Sequence, residues 1–377
     1  MRKVFAKLDK PLLFTTIIFS IFGLIMILSA SSMESYMRYD YSPYHYFFRE
    51  LIFLIIGLFA FIFTIFFPTK NYKKFSLFFI VVIVLSLVGL LVYGHAANNA
   101  VSWYKIGPFT IQPSEFAKLA IILYLATYYE KNKEILDVQW NIIKPILLIV
   151  VIVGLVAIQP DMGTALIMML ITLVVFYGVP IGKKNRSMFN KIFIGGVVVV
   201  LLVLITSGGK LLKSYQLERF NFIDPCERYQ DDSGYQLCNS FIAFKNGGIN
   251  GQGLGESTQK YLYLPESYTD FIYPIVVEEW GLIVGIIIIF GYMFMLFRII
   301  KVARRATCLR NSLICYGVFA YLLTHIMINL GGVMGLIPLT GVPLPFLSYG
   351  GSYIICLMIG LGLVQRVSIE NNKMKTN

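Results

Sequence analysis

The chain has 377 residues, of which 57% are hydrophobic and 14% are charged. An ordinary soluble domain has roughly 25% charged residues, so this composition excludes a single soluble globular domain and predicts an integral membrane protein. The formal net charge of +12 does not indicate a nucleic-acid partner. Lysine and arginine occur in short clusters between apolar runs rather than along one amphipathic surface.

About ten apolar segments divide the chain, most of them near the roughly 17 to 25 residues that a transmembrane helix needs. They lie at about 11–31, 51–67, 76–94, 116–129, 142–158, 162–180, 191–207, 271–297, 312–333 and 351–365. No convincing A-x-A cleavage site follows the first, so we expect a retained helix rather than a signal peptide. The sequence therefore predicts an all-α integral membrane protein of about ten transmembrane helices, organised as a single polytopic domain over residues 1–377.

The gaps between these segments differ in charge. Lysine and arginine concentrate in the even-numbered gaps and at both ends of the chain, so the positive-inside rule predicts cytoplasmic N- and C-termini. The odd-numbered gaps are then extracellular, and the largest is the loop 208–270 between helices 7 and 8. Because Gly- and Pro-rich irregular backbone at membrane depth must pack in protein or line an aqueous cavity, we expect a cleft on the outer face.

The five cysteines separate into two groups. Cys226 and Cys238 share the long loop, where an oxidising compartment would permit a disulfide, but spacing alone leaves that pairing open. The other three lie in or beside apolar segments and are expected to be packed thiols: Cys308, Cys315 and Cys356. The three histidines are scattered without ligand spacing, which argues against a zinc site.

Carboxylates mark the point where the long loop meets the eighth segment. Asp270 lies there, either as a partner for the helix dipole or as a functional group, since an ionisable residue at a span is costly. Glu278 follows by about two turns on a similar face, and its role as a buried partner or as part of a substrate path stays open. For Glu279 we favour structural pairing.

Two further segments carry polar groups on the predicted outer face. In QPSEFAK (112–118), Glu115 and Lys118 are three residues apart, so they either neutralise each other or leave Lys118 poised for an anionic lipid headgroup. The segment 338–352 contains Thr340 and Ser348 among three prolines and three glycines. It cannot form a continuous helix and is expected to be a re-entrant-like loop.

Taken together, these segments resemble the SEDS family (shape, elongation, division and sporulation) of polytopic peptidoglycan glycosyltransferases, typified by RodA, FtsW and SpoVE. The resemblance covers nearly the whole chain. The amino-acid sequence at 257–260 and 339–343 resembles the division-type FtsW branch of low-GC Gram-positive bacteria more closely than it resembles RodA. The matching motifs are Trp103 with IGP (106–108), QPSEFAK (112–118), QPDMGTA (159–165), GYQ (234–236), the glycines of 247–255, LPESYTDF (264–271), EEWG (278–281) and 335–352.

The resemblance implies polymerisation of lipid II at the outer face of the bacterial cytoplasmic membrane by an inverting glycosyltransferase. Asp270 matches the essential acidic residue and is expected to be the catalytic base. Substrate and pyrophosphate contacts are expected from Lys118, Glu115, Arg219, Trp103 and Lys105. Supporting roles are expected for Glu278, Gln112, Ser348 and Thr340. The involvement of a divalent cation, Mg²⁺ or Mn²⁺, is left open.

The same resemblance implies partners. These are lipid II, the nascent glycan strand, a class B penicillin-binding protein (the transpeptidase) docked through membrane helices, and other divisome or elongasome membrane proteins. The alternative function is a lipid II flippase that moves its substrate without bond chemistry. The sequence does not distinguish a role in division from one in elongation or sporulation.

Overall fold

The computed structural model describes residues 2–93, 95–97, 100–107, 109–136, 138–206, 219, 222–230 and 232–374. A helix covers each of the apolar segments predicted from sequence. The helices are α1 Arg2–Phe5, α2 Lys10–Tyr39, α3 His45–Phe66, α4 Tyr72–Tyr93, α5 Pro113–Lys131, α6 Gln139–Ile158, α7 Met162–Tyr177, α8 Lys183–Thr206, α9 Asp232–Gly247, α10 Ile272–Arg304, α11 Leu309–Val333 and α12 Gly351–Met374. Short 3₁₀ turns lie at Thr69–Asn71 and Lys133–Ile135.

Within the described residues, seven helices are long and apolar enough to cross a membrane. These are Lys10–Tyr39, His45–Phe66, Thr69–Tyr93, Trp140–Ile158, Ile272–Arg304, Leu309–Val333 and Gly351–Lys373, and Met162–Tyr177 is a shorter apolar helix. The remaining predicted segments are helical as α5 and α8. The all-α membrane architecture is thus confirmed.

Some helices extend beyond the apolar runs that predicted them. The clearest case is α2, which continues to Tyr39 although its apolar run ends near residue 31. Its last turns are polar, and Arg38 donates to Glu34 one turn earlier at 2.9 Å. An i, i+4 ion pair supports helix in a stretch that hydropathy alone does not mark.

The core of the bundle is formed by α11 and α12, which are the most deeply buried of the spanning helices. Helix α12 packs along α3, while α11 contacts α10, α5 and α7. Because the chain alternates direction, the first residues of α3, α5, α7, α10 and α12 gather at one end of the bundle. We call this the site end, and the opposite end, which carries the N-terminus of α2, the basic end.

Helix α10 is broken at Gly281, where φ is +82° and ψ is 168°. The glycine-rich segment 247–253 fills the break, since Gln252 N and Gly253 N donate to the carbonyls of Glu278 and Glu279, both at 2.9 Å. A Cβ at Gly281 would lie 2.3 Å from Ile249 O, so only glycine permits this approach. The glycines of 247–253 therefore serve backbone packing against α10.

Two elements at the site end were not predicted. Strands β1 His95–Ala97, β2 Ala100–Ile106 and β3 Phe109–Ile111 form an antiparallel sheet in the order β1-β2-β3. Helix α9 lies inside the long loop, and Cys238 on it forms a disulfide with Cys226, with the Cα atoms 4.9 Å apart. The pairing that the sequence left open is present.

Candidate functional site

The helix starts at the site end are tied to one another by hydrogen bonds. The Gln112 side chain, just before α5, donates to Asp161 Oδ2 at 3.1 Å, and Asp161 caps α7 by accepting from Thr164 N at 3.1 Å. The Gln112 backbone N donates to Ser352 Oγ, in the first turn of α12, at 3.1 Å. Gln112 thus fixes three helix starts relative to one another, and its supporting role in the reaction stays a prediction.

Asp270 lies between the long loop and the segment 334–350 that joins α11 to α12, which we call the connector. Its side chain is half-buried, and its Oδ1 accepts a hydrogen bond from Thr269 Oγ1 at 3.1 Å. A Cβ placed on Gly341 of the connector would stand 3.8 Å from Asp270 Oδ2. The carboxylate therefore faces irregular backbone rather than a helix face.

The surroundings of Asp270 shift its pKa upward. The pKa is raised from its ordinary value of 3.8 to about 7; burial is the largest cause, and the negative charge of Glu266 acts in the same direction. Hydrogen bonds, including that of Thr269, and the positive charge of Arg219 act in the opposite direction. A carboxyl group that titrates near neutral pH is suited to accept a proton and later release it.

Asn329 of α11 was not identified from the sequence. Its Nδ2 donates to the backbone carbonyls of Asp270, at 2.7 Å, and of Val342 in the connector, at 2.8 Å. The Asn329 side chain is buried, so these hydrogen bonds are shielded from water. Asn329 therefore links the end of the long loop to the connector beside Asp270.

Lys118 is fully buried inside the bundle. Its ammonium donates to Glu115 Oε1 at 2.7 Å and lies 2.9 Å from His325 Nε2. His325 Nδ1 contacts Pro343 O at 3.2 Å. Because that carbonyl can only accept, Nδ1 carries the hydrogen and Nε2 accepts from Lys118. The mutual neutralisation of Glu115 and Lys118 is confirmed, whereas their direct contact with substrate phosphate stays a prediction.

Glu278 is buried and organises the end of the glycine-rich loop. Its carboxylate accepts hydrogen bonds from Asn246 Nδ2 and Thr258 Oγ1 at 2.9 Å, from Gln259 N at 3.2 Å and from Ser257 Oγ. These partners make it a structural anchor of the loop, and its part in a substrate path stays a prediction.

Glu279 is also paired inside the protein. It accepts from Lys260 Nζ at 3.0 Å and from Ser29 Oγ at 2.6 Å. The structural pairing that the sequence favoured for this residue is confirmed. Both glutamates therefore fasten the loop that precedes Asp270 to α10.

The connector residues singled out from the sequence shape the backbone. Ser348 Oγ accepts from Leu344 N at 2.8 Å, which closes a turn. Thr340 packs over the start of α7, where a Cβ on Gly163 would lie 3.2 Å from Thr340 Cβ. The connector has no regular secondary structure, as expected for a segment rich in proline and glycine.

Three further residues were predicted to contact the substrate, namely Arg219, Trp103 and Lys105. Arg219 is close enough for its charge to lower the pKa of the Asp270 carboxyl. Trp103 and Lys105 lie on β2, where Trp103 is half-buried and Lys105 is exposed. Among the described residues, no hydrogen bond or ion pair joins either of them to Asp270. Their roles in substrate binding stay predictions.

Three tyrosines near Asp270 were also missed. Tyr46 at the start of α3 lies with its ring centroid 4.6 Å from that of Tyr268 and 5.1 Å from that of Tyr349. The backbone of Tyr349 donates to Tyr268 O at 2.9 Å. This cluster couples the long loop to the connector. For Tyr46, the available sequence signal was the number of aromatic residues between the first two apolar segments.

Within the part of the chain that the structure describes, no group of three or more His, Cys, Asp and Glu residues is arranged to hold a metal ion. The Asp270 carboxylate has one acidic neighbour, Glu266, whose Oε2 accepts from Thr269 Oγ1 at 2.7 Å. The involvement of a divalent cation therefore stays open, and we derive no step through one.

Comparisons with known proteins agree with this architecture. Residues 10–373 match the family described as cell cycle protein, which comprises FtsW, RodA and SpoVE. A probable peptidoglycan glycosyltransferase FtsW of Bacillus subtilis (strain 168) is 39% identical, with 100% of this chain and 95% of that protein covered. A protein of the same name from Wigglesworthia glossinidia brevipalpis is 35% identical, with 96% and 93% covered.

Solved structures give the same result. A chain from a study of the structural coordination of polymerization and crosslinking by a peptidoglycan synthase complex superposes with a TM-score of 0.76 at 26% identity, covering 97% of this chain and 98% of that one. The rod shape determining protein RodA of Thermus thermophilus shares the fold, with a TM-score of 0.68, 24% identity and 96% of each chain covered. Sequence and fold together show that the chain belongs to the FtsW, RodA and SpoVE family.

Proposed function

We propose that the chain is a peptidoglycan glycosyltransferase that polymerises lipid II. The proposal is carried by Asp270, a half-buried carboxyl group with a pKa near 7 at the junction of the long loop and the connector. Its relatives named as probable peptidoglycan glycosyltransferases match along nearly the whole chain. The subfamily proposed is the division type, which the Bacillus subtilis relative supports.

In the proposed reaction, the Asp270 carboxylate accepts the proton of the 4-hydroxyl of an acceptor sugar. The freed oxygen forms a bond to the anomeric carbon of the donor sugar, and the bond from that carbon to the pyrophosphate oxygen breaks. The electron pair leaves with undecaprenyl pyrophosphate, and the configuration at the anomeric carbon inverts. Arg219, whose charge acts on Asp270, is the cation proposed to stabilise the leaving group.

The proposed orientation puts the site end at the outer face of the cytoplasmic membrane and both chain termini in the cytoplasm. The cationic residues at the basic end support this orientation through the positive-inside rule. The Cys226–Cys238 disulfide supports it as well, because disulfides persist on the oxidising side of the membrane. The proposed partner is a class B penicillin-binding protein, in keeping with the synthase complex that contains a related chain.

The direct test is incubation of the detergent-purified chain with lipid II, alone and with its cognate class B penicillin-binding protein, followed by separation of glycan products by length. We expect a ladder of polymers. Absence of polymer in both reactions, together with passage of fluorescent lipid II across proteoliposome bilayers that contain the chain, would contradict the proposal. That result would favour the flippase instead.

A further inference from the structure

A cavity of about 340 Å³ lies at the basic end of the bundle, opposite the site that contains Asp270. It forms where the first residues of α2 meet the last turns of α10 and α12. The side chains around it include four cations and one carboxylate, namely Lys10, Arg298, Lys301, Arg305 and Asp9. The cavity thus has an excess of positive charge.

The single carboxylate is already engaged. Arg298 donates to both oxygens of Asp9, with Nη2 at 2.6 Å from Oδ2 and Nε at 3.1 Å from Oδ1. Asp9 Oδ1 also accepts from Leu12 N at 3.1 Å and so caps α2. Among the described residues, no carboxylate pairs with the remaining cations, which are Lys10, Lys301 and Arg305. These three charges are available to an anion.

Helices α2 and α10 expose aromatic side chains within one turn of the residues that line the cavity. Phe297, which precedes Arg298 on α10, is 59% exposed, and Phe14 on the first turns of α2 is 65% exposed. On a membrane-spanning helix, exposed aromatic side chains of this kind lie against acyl chains. Lysine and arginine at a helix end extend toward the headgroup level, where they meet phosphate. An occupant with an anionic head and apolar tails matches both surfaces.

We propose that this cavity binds the phosphate of an anionic glycerophospholipid, with Lys301 and Arg305 as its main contacts. Arg305 supplies a planar set of donors for phosphate oxygens, and Lys301 adds a compact charge one turn earlier on α10. Arg298 stabilises the side of the cavity by its ion pair with Asp9. The acyl chains lie along the surface that contains Phe297. The site is independent of the glycosyltransferase activity proposed above.

The test uses the full chain, stripped of lipid in a neutral detergent, and native mass spectrometry to titrate bound phosphatidylglycerol. Phosphatidylcholine and inorganic phosphate form separate arms. The variant K301Q/R305Q removes the proposed contacts. The matched control, K73Q/K74Q, removes the same charge from two exposed lysines at the start of α4, on the same end of the bundle.

We expect phosphatidylglycerol to bind K301Q/R305Q roughly thirtyfold more weakly than the wild type, because each cation near an anionic lipid contributes a factor of about five. The control should stay within about twofold, and K301R/R305K should retain binding. Equal affinity in K301Q/R305Q and the control would overturn the proposal. It would also be overturned if inorganic phosphate bound as tightly as the lipid, or if K301R/R305K, which keeps both charges and one guanidinium group, bound as weakly as K301Q/R305Q.

Discussion

Asn329 and Asp270 are joined by a hydrogen bond of 2.7 Å from the asparagine side chain to the aspartate carbonyl. The same amide group donates to Val342 O at 2.8 Å. One buried side chain on α11 therefore fixes both the candidate base and the connector opposite it. The position of Asp270 depends on the central helix of the bundle as well as on its own loop.

Replacing this asparagine should separate the two segments. In N329L both carbonyls lose their donor, and each buried unsatisfied group costs about 1–3 kcal/mol. We expect a lower Tm and a fall in kcat of about tenfold to a hundredfold, since small displacements of a catalytic group are costly. N239L is the control, because Asn239 is buried and donates to Tyr235 O within α9, away from Asp270 and the connector. A wild-type kcat in N329L would refute the positioning role.

The pH dependence of polymerisation should report the Asp270 carboxyl group. Activity requires its deprotonated form, so kcat/KM should fall as the pH drops through about 7. E266Q removes a charge that raises the pKa and should move this limb to lower pH. R219Q removes a charge that lowers the pKa and should move it to higher pH. The exposed Glu227 provides the control variant E227Q, for which we expect no shift.

The same pKa shift has a consequence for stability. Between about pH 4 and 7 the folded chain holds a proton on Asp270 that the unfolded chain has lost, so this group makes the free energy of unfolding decrease as the pH rises. In D270N that contribution disappears. Measurements of Tm across this window should therefore show the Tm of D270N increasing relative to that of the wild type as the pH rises. Parallel curves for the two proteins would contradict the raised pKa.

The buried ion pair between Lys118 and Glu115 should be most sensitive to loss of one partner. K118M leaves the Glu115 charge buried without its cation, and we expect a loss of about 3–5 kcal/mol in the free energy of unfolding. E115Q/K118M removes both charges and should be closer to the wild type. K131M, at the exposed end of the same helix, should change little. A double variant less stable than K118M would contradict this account.

The Cys226–Cys238 disulfide closes a short stretch of the long loop and attaches it to α9. Loss of such a cross-link typically costs about 2–4 kcal/mol. C226S/C238S should be cleaved faster in limited proteolysis of this loop, with Asp270 chemistry little changed. C308S, which removes an unpaired cysteine, is the control. Identical cleavage rates in all three proteins would show that the bridge does not stabilise the loop.

Hydropathy predicted the bundle well because a spanning helix must be apolar over its whole length. It missed α9 and the β-sheet, since neither crosses the membrane. The spacing of Leu237, Phe241 and Phe244 at i, i+4 and i+7 is the signal that would have predicted α9. The sheet has no comparable pattern in its short strands.

Asp270 could be identified from its place at the start of a span and from the family resemblance. Its partners could not, because they come from distant parts of the chain. Asn329 is 59 residues away in sequence, and His325 lies 207 residues from Lys118. Glu278 was left open for the same reason, since the groups that bind it belong to a loop that packs back on α10. Local spacing contains no information about such contacts.

The most direct test of the central claim is the rate of lipid II polymerisation by purified D270N, measured beside its affinity for lipid II. The substitution keeps the size of the side chain and removes the proton acceptor. We expect kcat to fall by roughly 10²- to 10⁴-fold, the usual contribution of a general base, with lipid II binding retained. Polymerisation by D270N at the wild-type rate would contradict the assignment of Asp270 as the base.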